Sequence, residues 1–184
     1  MEIELDTWMP EYAIRTRHRR AARVDADALW AAAASLRVDD TGPLGRLVRL
    51  RIPGLPRGVT FSGMFSTPPF TVLAEGDGWS VSGLAGRIWT LRRDYPRLAD
   101  AAEFAAWSQR GTVRVAFAHW VEAGDGPDAA TLYSEARIAP VDRAASLRLR
   151  ALWTVVGPWE RLIGGEALAR VVRSAEASRG ITRR

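Results

Sequence analysis

Apolar and polar positions alternate with a period of two from Tyr12 to Arg19. Tyr12, Ile14, Thr16 and His18 fall on one side, and Ala13, Arg15, Arg17 and Arg19 on the other. That alternation predicts a half-buried strand with one wet, arginine-bearing face. The period then changes. In "VDADALWAAAASL", Asp25 is placed to cap a helix, Asp27 lies in its first turn, and Leu29, Ala32, Ala33 and Leu36, helped by Trp30, form the inward stripe. The segment "PLGRLVRLR" from Pro43 fits a short helix or a strand. The glycine- and proline-rich stretch from Pro53 to Pro69 reads as loop, with a short edge strand around Val59 to Phe61.

The middle of the chain returns to a period of two. "FTVLAEG" and "WSVSGLAGRIW" flank Asp77-Gly78, a strong tight-turn pair, and form a hairpin. The alanines between Leu98 and Trp107 favour a short helix. "TVRVAFAHWVEA" and "ATLYSEARI" are two further strands, joined through the loop "GDGPD". From about Val141 to Ala177 the pattern is helical. Ala145, Leu149, Leu152, Val156, Trp159 and Ile163 are spaced by four, three, four, three and four, which predicts one inward stripe behind an Asp142 cap. Gly157-Pro158 and Gly164-Gly165 interrupt this helix. Pro158 lacks the N–H that bonds the carbonyl of Thr154, so a kink is expected there.

Strand, short helix, antiparallel strands and long helix make an α+β order. The expectation is a curved antiparallel sheet of about six or seven strands around the long C-terminal helix, in a single domain over 1–184. Residues 1–11 are expected to be a poorly ordered N-terminal extension.

Composition changes this picture little. The 184 residues carry a formal charge of +5, and all 26 basic residues are arginine. With no cysteine there are no disulfides or thiolate sites, and the N-terminus has no signal-peptide pattern; a cytoplasmic location is expected. No apolar run is long enough to span a membrane. The basic cluster from Arg15 to Arg23 lacks interleaved stacking aromatics. A solvated strand face is preferred there over a nucleic-acid interface.

Candidate chemistry is sparse. His18 and His119 are the only histidines, and each lies on the less polar face of its strand. If both strands face one cavity, two imidazoles converge there and can do acid–base work. No metal-ligand spacing exists, so no metal or cofactor is expected. Tyr133, Glu135 and Arg137 share a strand face. An exposed Glu135–Arg137 pair is preferred there over an inward-facing Tyr133 and Glu135 that orient a ligand. Of eight tryptophans, Trp89, Trp120, Trp153 and Trp159 are placed nearest a cavity.

The opening strand, "RVDADALWAAAASL", a meander ending in "LYSEARI" and a final helix containing "LWTVVGPWERLI" together resemble the SRPBCC superfamily, the START-domain and polyketide-cyclase-like group. The V-x-A-x-x-L-W opening of the first helix is similar to the V-x-A-p-x-x-v-W of that group. "SEARI" followed by "LWTVVGPWERLI" is similar to its "TETRV … YWRLVGPFSGLIR" ending. The resemblance covers nearly the whole chain and implies a helix-grip fold. It also implies a cavity for an apolar small molecule between sheet and long helix. Trp89, Phe117, His119, Trp153, Trp159, His18 and Tyr133 are the candidate ligand-binding residues. Binding or transport of an apolar ligand is the first functional reading. A cyclase- or aromatase-like enzyme using cavity His or Tyr residues is the alternative, and a nucleic-acid module the third.

Overall fold

The computed structural model describes residues 5–42, 45–46, 48–49, 55–90 and 94–182; the side chains of 159, 161–163, 181 and 182 are not among those described. The fold is α+β. In chain order the elements are helix α1 (Leu5–Trp8), strand β1 (Ile14–Ala22), helix α2 (Ala26–Ser35), a 3-10 turn (Val38–Thr41), helix α3 (Phe61–Phe65), strands β2 (Thr71–Gly76) and β3 (Trp79–Gly86), helix α4 (Ala101–Ala106), strands β4 (Val113–Ala123) and β5 (Ala130–Pro140), and helix α5 (Arg143–Thr182). The strands form one antiparallel sheet in the order β1-β5-β4-β3-β2. A long C-terminal helix against such a sheet is the helix-grip arrangement that the resemblance implied.

The strand count is five, not six or seven. The Val59–Phe61 segment contributes only a single bridge, Arg37 to Thr60. Thr60 then accepts a hydrogen bond from the Gly63 N–H at 3.1 Å and starts α3. The Thr60 side chain thus satisfies an N–H that a strand would have to pair elsewhere. β3 stops at Gly86, whose φ of +147° takes the chain out of the sheet before Arg87. Residues 45, 46, 48 and 49 are helical, in line with the helix reading of the Pro43 segment; the rest of that segment lies outside the described residues.

Both faces of the sheet are covered. On the first face, the C-terminal half of α5 (Leu168, Val171, Val172, Ala175) packs with α2 (Leu29, Ala33) over Val121, Ala130 and Leu132. The N-terminal half packs through Leu149 with Phe65, Val115 and Ile138. Full burial of each large side chain is worth roughly 1.5–3 kcal/mol. On the second face, Leu5 and Met9 join Phe104 of α4 and Leu98 over Val81, Ala118 and Trp120. Residues 5–9 are therefore packed, in contrast to the loose extension expected for 1–11, because Leu5 and Met9 supply apolar cover that the second face needs.

That second face also reverses the expected exposure of Glu135 and Arg137. They are only 4% and 7% exposed. Glu135 accepts two hydrogen bonds from Arg15, at 2.9 and 2.8 Å, and one from Arg137 at 2.9 Å. Arg137 also donates to Asp6 and to the Met9 carbonyl, and its guanidinium lies 4.7 Å from the Tyr12 ring centroid. α1 turns the pair from a surface contact into a buried network. Arg15, Arg17 and Arg19 are solvent-exposed, and Ile14 and Thr16 point inward, as the alternation predicts.

α5 remains one helix through Pro158, with Asp142 capping it by accepting from the Ala145 N–H at 2.8 Å. Its inward stripe differs from the apolar one read from the sequence. Ala145 and Leu149 are buried as expected, but the stripe continues through Trp153, Gly157, Glu160 and Gly164, while Val156 is 37% exposed. The glycines explain the shift. A Cβ on Gly157 would lie 2.9 Å from the Trp153 ring nitrogen, and one on Gly164 would collide with His18 Nε2. Small residues here are what allows rings to lie against the helix backbone.

Two predictions follow the packing. Gly164→Ala forces the His18 ring aside and should cost about 1–3 kcal/mol. Gly165→Ala meets nothing within 4 Å and should gain about 0.5–1 kcal/mol of helix stability. Urea unfolding of the two variants checks the contrast, and equal effects would contradict it. Glu135→Ala leaves the buried Arg137 with the exposed Asp6 carboxylate as its remaining ion-pair partner, and should cost about 1–3 kcal/mol in the same measurement.

Candidate functional site

Sheet register places His18, Ser134, His119 and Ser80 side by side on β1, β5, β4 and β3. Alternation puts all four on the face that α5 covers. This polar rung crosses between the two apolar clusters beneath the helix. The two histidines are two strands apart, roughly 10 Å, and their surroundings differ.

His119 lies in the interior. Its ring sits 4.6 Å from Phe65 and 5.1 Å from Phe61, centroid to centroid. It lines a small cavity with Ser80, Trp30, Leu36, Leu132 and Leu168. Burial away from water holds its pKa down to about 4. The cavity has a volume of about 30 Å³. That is room for a water molecule or two. A site for a small organic molecule takes about 300–1,000 Å³. α3 is the reason, because Phe61 and Phe65 occupy the space above His119.

His18 lies at the sheet edge, beside an open groove of about 510 Å³ between β1 and α5. Its Nε2 is 2.9 Å from Glu160 Oε1. The other oxygen of Glu160 is buried without a hydrogen-bond partner among the described residues. Arg15, Thr16 and Arg17 form the β1 wall, and Trp153, Thr154, Gly157, Pro158 and Glu160 the helix wall. Arg15 is held by Glu135, which raises its pKa further above the ordinary arginine value. Arg17 approaches Glu135 only to 3.8 Å, and its guanidinium lies 5.4 Å from the Trp120 and Tyr133 ring centroids. Its guanidinium therefore lies on the sheet face opposite the groove.

The predicted site residues therefore separate. His119 borders the internal cavity, and His18 and Trp153 border the groove. Phe117 packs against Phe65 and Phe70. Trp89 is partly buried beside the apolar cluster, with the Arg148 guanidinium 5.8 Å from its ring centroid. Tyr133 reaches the cavity along its strand, but its ring stacks on Trp120 at 4.9 Å on the opposite face of the sheet. Burial there raises its pKa. The Trp159 side chain lies outside the described residues. Sequence reasoning missed Glu160, Phe61 and Phe65. The signal for Glu160 was its place in the 153–157–160–164 spacing, a helical face built from small and polar residues.

No family model matches the chain, and no curated protein matches it. Solved structures with a similar course of the chain include a protein from Thermus thermophilus (9% identity, TM-score 0.38, covering 90% of this chain and 99% of that one). A hypothetical protein from Helicobacter pylori is similar at 11% identity and TM-score 0.40, covering 91% and 90% of the two chains. The Zhui aromatase/cyclase from Streptomyces sp. R1128 is similar at 15% identity and TM-score 0.33, covering 89% and 93%. At these scores the likeness carries no argument, and the fold rests on the chain's own topology. Among the described residues no helix is long and apolar enough to cross a membrane.

The buried imidazole makes stability depend on pH. An unfolded histidine ionises near 6.5, against about 4 for His119 in the folded chain. Between those values the unfolded chain holds the extra proton. Stability therefore rises with pH across this window and is lost as pH falls from about 6.5 toward 4. The full amplitude is about 3 kcal/mol. Urea unfolding from pH 7 to 4 should show this loss, and His119→Leu should flatten it. An unchanged slope in the variant would contradict the assignment to His119.

Proposed function

We propose that this chain binds a small organic molecule in the groove between β1 and α5, with His18 and Glu160 as its polar end. The observation that carries this reading is the groove's volume of about 510 Å³ beside the His18–Glu160 pair, within the range that small-molecule sites occupy. The ligand class follows from the walls. Trp153 and Pro158 offer apolar contact to a ring or chain. His18 and Glu160 offer hydrogen-bonding atoms to a polar group. The compound is an apolar or aromatic body with a polar, hydrogen-bonding substituent, not a purely apolar molecule enclosed by the sheet.

The same pair favours a second reading, acid–base chemistry of the cyclase type. A carboxylate hydrogen-bonded to one imidazole nitrogen fixes the ring's orientation and leaves the other nitrogen to exchange a proton. Binding and catalysis differ in what His18→Gln does. A binder carries less of the same compound, whereas an enzyme carries a different one, its unconverted substrate.

The test is native mass spectrometry of freshly purified protein, alongside titration with Nile red, an uncharged aromatic dye. The parent should bind the dye, Trp153→Ala should weaken binding by about tenfold, near 1.4 kcal/mol, and Arg17→Gln, on the opposite face of the sheet, should leave it unchanged. A parent that carries no compound and binds no dye would overturn the proposal. So would dye binding that Trp153→Ala leaves unchanged.

A further inference from the structure

The outward face of the N-terminal half of α5 is apolar where a solvent-facing helix is ordinarily polar. Ala144, Leu147, Ala151, Val155 and Pro158 are all exposed and are spaced by three, four, four and three residues, so they form one stripe. Leu147 is 60% exposed and Val155 68%. The stripe is about 21 Å long. At 100° per residue, Arg143 and Arg150 fall along one side of it and Arg148 along the other. All three are exposed, and none forms an ion pair among the described residues. Between Arg143 and Trp159 the helix has no acidic residue.

We infer that this face of α5 docks on the surface of a bilayer containing anionic lipid. An apolar stripe flanked by arginines on both sides suits that interface. The stripe enters the headgroup–acyl boundary, and the guanidinium groups reach lipid phosphates while their stems cover apolar surface. Charge selects this partner. A neutral surface leaves three unpaired cations uncompensated, and a second copy of the helix would bring like charges together. A nucleic acid satisfies the arginines but leaves Leu147 and Val155 without an apolar partner. Thr154 and Pro158 border both the stripe and the groove, so docking sets the mouth of the groove at the lipid surface.

The inference is independent of the ligand reading, because its test contains no small molecule. Co-sedimentation of the full chain with phosphatidylcholine vesicles, with and without phosphatidylglycerol, measures the partition coefficient. Binding should require phosphatidylglycerol and weaken with salt. Arg148→Gln and Arg150→Gln should each lower it about fivefold. The double variant Leu147→Gln, Val155→Gln should lose sedimentation. These side chains are exposed, so thermal unfolding should be unchanged in every variant. Absence of binding at low salt, equal binding to neutral vesicles, or full retention in the double variant would each overturn the inference. So would a parent that self-associates through this stripe in sedimentation velocity, or one that binds duplex DNA more tightly than anionic vesicles.

Discussion

Close approach between α5 and the edge strand β1 is the constraint on which the rest of the fold depends. Forty residues of helix lie against a five-stranded sheet, and the helix's distance from β1 is set by what its inward positions lack. At Gly164 the missing Cβ makes room for the His18 imidazole, and at Gly157 for the Trp153 indole. Both glycines weaken the helix intrinsically, by about 1 kcal/mol each relative to alanine. Tertiary contact compensates for that loss, since each one seats a ring against backbone that a side chain would hold away.

The sheet meets the opposite problem on its other face. There Glu135 lies under α1, where an isolated carboxylate is not tolerated. Arg15, Arg17 and Arg137 surround it, and Asp6 and the Met9 carbonyl take up further donors of Arg137. Such a network adds little net stability against a well-packed apolar alternative, but breaking it exposes an uncompensated charge. The Arg137 bonds to Asp6 and to the Met9 carbonyl tie the N-terminal segment to β5.

Much of the architecture was legible in the sequence. The strand alternation at Ile14–Arg19, the Asp25 and Asp142 caps, the Asp77-Gly78 turn and the two long strands near the end each follow a local rule and appear as read, whereas Tyr12, read as inward-facing, precedes the strand and is 39% exposed. The phase of α5 was not legible from apolarity, because its inward positions include Gly157, Glu160 and Gly164, residues that carry no apolar signal. The exposure of Glu135 was misread for a related reason. Alternation tells the two faces of a strand apart, but it does not tell whether a second layer covers the polar one. That layer comes from Leu5 and Met9, more than a hundred residues away in the chain.

The candidate site shows the same dependence on distant cover. One polar rung runs from His18 to Ser80, and the strands alone treat its two ends alike. What lies above it decides their fate. Phe61 and Phe65, on a five-residue helix from a stretch read as loop, fill the space over His119 and reduce it to about 30 Å³. Over His18 the cover is a glycine-bearing stretch of α5, which fills less space, and an open groove remains. The family resemblance implied a chamber between helix and sheet, with tryptophans as its lining. Aromatic rings fill volume as readily as they line it, and only the third dimension separates the two uses.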